Sequence, residues 1–70
     1  MDHALKIFTL YVEDDRYSVP TLFTVEMRED AGAMVHAAEL IRASQHYLAI
    51  ELWDGDRRVG KAHRASDQAG

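Results

Sequence analysis

The chain has no cysteine. That absence excludes a disulfide scaffold, a thiolate zinc site and a cysteine nucleophile, and it leaves the redox compartment undetermined. With one proline and four scattered glycines there is neither a proline-rich linker nor a GxGxxG or GxxxxGK phosphate loop. No apolar run approaches the roughly 18 residues of a membrane span. Residues 1–10 also lack the basic start and long apolar core of a signal peptide. The expectation is a soluble, cytoplasmic domain without membrane association. Basic side chains are scarce through most of the chain: residues 1–56 carry 11 acids against 4 bases, whereas residues 57–70 carry 4 bases against Asp67. An acidic body argues against a general nucleic-acid binder, which needs a basic stripe to neutralise phosphates.

What is present is 70 residues, 47% of them apolar, too hydrophobic and too weakly charged to stay disordered. A chain of this size buries only about 60% of its unfolded surface, so a single core is marginal unless something adds to it. From Leu5 to Val12 the run is β-branched and aromatic and apolar on both parities, the pattern of a central strand covered on both faces. Glu13, Asp14, Asp15 and Arg16 break it, and a second extended run from Ser18 to Met27 returns as a hairpin partner. Pro20 lies inside that run and cannot donate to a ladder, which makes the second strand an edge.

A helical period follows, with Ala31, Met34, Val35, Ala38 and Ile41 as the apolar stripe of a helix over about 31–45. Glu29 or Asp30 supplies the acid and cap at its start, and Arg42 and His46 stand near its end, where cations are favoured. Tyr47 to Trp53 alternates, placing Leu48, Ile50 and Leu52 toward the helix and Tyr47, Ala49, Glu51 and Trp53 away from it. Asp54-Gly55-Asp56 is a turn, and Arg57 to Lys61 returns as a short fourth strand. The expected domain spans 1–61, with 62–70 as a flexible tail.

These elements predict an α+β fold of ββαβ(β) order: a mostly antiparallel sheet of three or four strands, in the order 2-1-3-4, with one helix on one face. That order sets Pro20 on one edge and the basic Arg57-Arg58 stretch on the other. In this layout, closing on "AIELWDGDRRVG", residues 5 to 60 resemble short bacterial ββαβ proteins that carry no assigned activity. The resemblance implies no site residues.

One helix cannot cover both faces of a sheet. Tyr11, Leu22, Tyr47 and Trp53 are therefore expected on the uncovered side as partner-binding residues, and a contiguous apolar patch there marks an interaction surface. A homodimer is the simplest completion, since two-fold self-association is the commonest assembly and a small chain gains most from added burial. A different protein partner is another possible occupant. The alternative role is a nucleic-acid-associated regulator using Arg57, Arg58, Lys61 and Arg64 as a basic arm.

No catalytic, cofactor or metal site is expected. His36 and Glu39 share one side of the helix, but two ligands do not make a site and no second pair matches them. Glu13-Asp14-Asp15 lacks the alternating oxygens and distal glutamate of a calcium loop. Ser44 near His46 sits at a helix end, where a serine hydrogen-bonds local backbone. The chain is read as a non-enzymatic interaction module.

Overall fold

The computed structural model describes residues 4–64: β1 (Lys6–Asp14), β2 (Thr21–Met27), α1 (Asp30–Ala43), β3 (Tyr47–Asp54) and β4 (Arg57–His63). All neighbouring strands are antiparallel, and the sheet runs β2-β1-β3-β4 with α1 on one face. This is the expected α+β architecture and strand order. It follows from a hairpin closed by the six-residue loop 15–20, a helical crossover that returns β3 parallel to β2, and a tight two-residue hairpin between β3 and β4.

The core joins Phe8, Leu10 and Val12 of β1 to Ile50 and Leu52 of β3 and to Ala33, Ala37 and Ile41 of α1. The even residues of β1 thus face the helix, and Ile7, Thr9 and Tyr11 face the other way. On α1 the buried stripe is rotated from the expected one. Ala33 and Ala37 are fully buried, whereas Ala31 is exposed and Val35 is 57% exposed. Apolar side chains surround much of this alanine-rich helix, so hydrophobicity alone does not select a face. Small side chains on the sheet side allow the backbone to approach closely, and the bulkier Val35 is left outside.

β1, β3 and β4 run further than expected and β2 starts later. β1 continues to Asp14 because β3 extends far enough to pair with it, Glu13 with Ala49 and Asp14 with Tyr47. Pro20, expected inside β2, stands just before it, where its missing N–H costs no ladder bond. β4 reaches His63, and the Arg64 N–H donates to the Leu48 carbonyl at 3.0 Å. Residues 62–64 are therefore ordered parts of the sheet rather than the start of a tail, and 65–70 lie outside the described residues. The β3-β4 turn has Gly55 at its first central position with φ of +65°. Only glycine adopts that conformation without a steric penalty.

Candidate functional site

The sheet face opposite α1 is assembled by cross-strand register. Tyr11 of β1 pairs with Leu22 of β2 on one side and with Glu51 of β3 on the other; Thr9 pairs with Thr24 and Trp53; Ile7 pairs with Glu26. On β4, Lys61 opposes Glu51 and Arg58 opposes Trp53. Ile7 is 60% exposed and Leu22 57%, so the apolar side chains on this face are open to solvent within the chain. Between them lie polar groups, of which Trp53, Glu51 and Arg58 are joined to one another. The Trp53 indole N–H donates to Glu51 Oε1 at 3.1 Å, and Arg58 Nε lies 3.3 Å from Glu51 Oε2. The Trp53 ring meets Tyr11 edge-on at 6.4 Å.

Of the four residues expected on this face, Tyr11, Leu22 and Trp53 are there and Tyr47 is not. Tyr47 packs against the core on the helix side and meets Phe23 edge-on at 6.3 Å. The reason is a register shift. Tyr47 pairs with Asp14 and Ala49 with Glu13, so Leu48 is an extra residue that reverses the alternation. Leu48, expected toward the helix, is instead 40% exposed. Strict alternation carries no sign of a bulge, so this reversal is not legible in the sequence.

The same face holds a groove of about 420 Å³ between the sheet and the β1-β2 loop, lined by Tyr11, Tyr17, Val19, Leu48, Glu51 and Lys61. Tyr17 and Val19 were not anticipated as site residues. Their signal was two apolar side chains inside an otherwise polar loop. The loop is held by Asp14, a buried carboxylate that accepts from the Arg16 backbone N–H at 2.9 Å and from Arg16 Nε and Nη2 at 3.0 and 2.7 Å. These Arg16 hydrogen bonds hold the Asp14 carboxyl down at about 2, against a desolvation that opposes them. Asp15 binds the other side of the loop, its carboxylate 3.0 Å from His46 Nδ1. Arg16 also lies 5.4 Å from the Tyr17 ring centroid, a cation-π contact.

The four cations of the expected basic arm do not form an arm. Arg57 forms a two-pronged pair with Asp30 at 3.0 and 3.2 Å and also reaches Asp54 at 2.8 Å. Lys6 flanks the same two carboxylates. The Arg57 hydrogen bonds hold the Asp30 carboxyl below its usual value. Arg58 is engaged by Glu51, and Lys61 lies on the open face. Arg64 turns inward: Nη2 donates to the carbonyls of Ile41 and Tyr47 at 3.0 and 2.8 Å and to that of Ser44. It thereby caps the C-terminus of a helix that has no glycine after its last turn.

Among the described residues, no three histidine, aspartate or glutamate side chains gather as metal ligands would. His36 is half-buried and Glu39 exposed on α1. Ser44 Oγ accepts from the His46 backbone N–H at 3.3 Å, the local role expected of it. Among the described residues, no helix is long and apolar enough to cross a membrane. Compared with protein-family models, curated proteins and solved structures, the chain matches none.

Proposed function

We propose that this protein is a small non-enzymatic interaction module that self-associates through the sheet face its helix leaves open. The observation that carries this reading is the exposure of Ile7, Tyr11 and Leu22 on that face, extended at one end by Tyr17 and Val19 of the loop. Removing such a surface from water stabilises by about 25 cal/mol per Å² of apolar area. A chain of 70 residues with a one-sided core has much to gain from that. A second copy is favoured as occupant because this face mixes apolar side chains with both acids and bases, Arg58 being paired with Glu51 within the fold. It carries no net charge pattern that would select a strongly acidic or basic partner. A nucleic-acid role through Arg57, Arg58, Lys61 and Arg64 is the weaker reading, because three of the four are engaged within the fold.

Sedimentation across a concentration series, with Trp53 emission read on the same samples, tests the proposal. The expected result is a mass of at least twice the chain, with a blue shift of the emission on association that is lost in Ile7→Lys. The Ile7→Lys variant changes a central-strand residue that is already exposed and stands beside Glu26. It should keep the fold and lose the face contact. A single-copy mass for the unaltered chain at all concentrations would overturn the reading.

A further inference from the structure

The two edges of the sheet are built differently. β4 carries Arg57, Arg58, Lys61 and His63 along its seven residues, a charged margin that discourages another strand from pairing there. β2 reads Thr-Leu-Phe-Thr-Val-Glu-Met, with one charge, three β-branched residues and no proline within the strand. Among the described residues it pairs with β1 alone. Phe23 lies on the covered side of the sheet, since it pairs with Leu10, yet it is 37% exposed, so the helix, which packs against Val25 and Met27 of this strand, leaves Phe23 partly open. Such a strand presents a row of backbone donors and acceptors ready to pair.

We propose that the free edge of β2 pairs antiparallel with β2 of a second copy, about a two-fold axis beside Thr24, joining two four-stranded sheets into one of eight strands. The charge on β2 decides the direction. A parallel pairing in register sets Glu26 of one copy beside Glu26 of the other, and like charges directly opposite are destabilising. Antiparallel pairing about Thr24, the middle residue, separates the two glutamates and uses the whole strand. Thr24 then meets Thr24, and Phe23 of each copy meets Val25 of the other on the helix side. An aromatic opposite a β-branched residue is a favourable cross-strand pair, and it covers the part of Phe23 that its own helix leaves open. Pro20 ends the paired edge at the same place in both copies. This surface is distinct from the open face. Edge pairing and face packing together close four copies into two stacked eight-stranded sheets.

The absence of cysteine makes the test specific, because one introduced thiol has no competitor. Single variants from Leu22→Cys to Glu26→Cys, with Val35→Cys on the exposed side of α1 as control, are oxidised mildly and resolved without reductant. Directly opposite residues of an antiparallel pair have Cα atoms about 4.5–5.5 Å apart, within disulfide reach, whereas sheets packed face to face stand about 10 Å apart. The expected result is a covalent dimer for Thr24→Cys and little or none for Val35→Cys. It should persist in an Ile7→Lys background, which removes the face contact only. On the unaltered chain, slowed exchange of outward β2 amides at rising concentration is the matching signal. A doubled mass with no crosslink from positions 22 to 26 overturns edge pairing and leaves face packing standing. Equal crosslinking at Val35→Cys, which marks collision alone, also overturns it. A single-copy mass at every concentration overturns both.

Discussion

At the scale of single residues, two side chains do work that their sequence neighbourhood does not announce. Arg64 follows the last strand, yet it satisfies carbonyls at the end of α1, in the connection after it and at the start of β3. Hydrogen bonds from a charged donor contribute more than neutral ones, so Arg64→Ala should cost about 2 kcal/mol in urea denaturation. Arg64→Lys should recover only part, because a lysine lacks the planar fork. Asp14 sits in the opposite situation, an acid in a strand end made tolerable by Arg16. Its carboxyl titrates at about 2 in the fold against 3.8 ordinarily, so its contribution is complete above about pH 4. As pH falls from there toward 2, the unfolded chain takes up the proton first and that contribution is lost. Asp14→Asn should therefore flatten the fall of melting temperature between pH 4 and pH 2, leaving the part due to Asp30, whose carboxyl is also held low.

At the scale of elements, the close approach of α1 to the sheet depends on small residues on both sides. Ala33 and Ala37 supply it from the helix and Gly60 from β4, where an added Cβ would stand 3.2 Å from Met34 Sδ. Methionine is adaptable, so Gly60→Ala should change stability little, whereas Gly60→Val should cost about 1–3 kcal/mol by overpacking. Combining Gly60→Val with Met34→Ala should return part of that loss in the same denaturation assay. The elements themselves were legible because their signals are local: β-branched runs, an aspartate-glycine turn, a break from period two to period 3.6. The helix face was not legible, because Ala31, Ala33, Val35, Ala37 and Ala38 are comparably apolar and only the sheet distinguishes them.

At the scale of the whole molecule, one helix over four strands leaves an exposed face and an exposed edge, and the two associations proposed for them would each stabilise the fold. Partners that bind only the folded state stabilise it by mass action. The melting temperature of the unaltered chain should therefore rise with protein concentration, and that of Ile7→Lys should rise less. A melting temperature that is independent of concentration would count against both surfaces. Because apolar contact dominates the face, added salt should leave that association unchanged or slightly strengthened. Nucleic-acid binding through Arg57, Arg58, Lys61 and Arg64 would weaken steeply under the same conditions.

The sequence by itself determined the element order, the strand order 2-1-3-4 and the edge position of β2, because periodicity, turn chemistry and the limits on short connections leave few arrangements. It also determined that one face would be short of cover, and it named Tyr11, Leu22 and Trp53 for that face. Only the tertiary structure decided that Tyr47 faces the core, that Leu48 is displaced outward and that Arg64 turns inward. These outcomes share a cause. Each depends on a partner distant in sequence: a bulge set by pairing with Glu13 and Asp14, or a carbonyl on a helix 20 residues or more away. Local pattern contains the preference of a side chain, but not the position of the group that satisfies it.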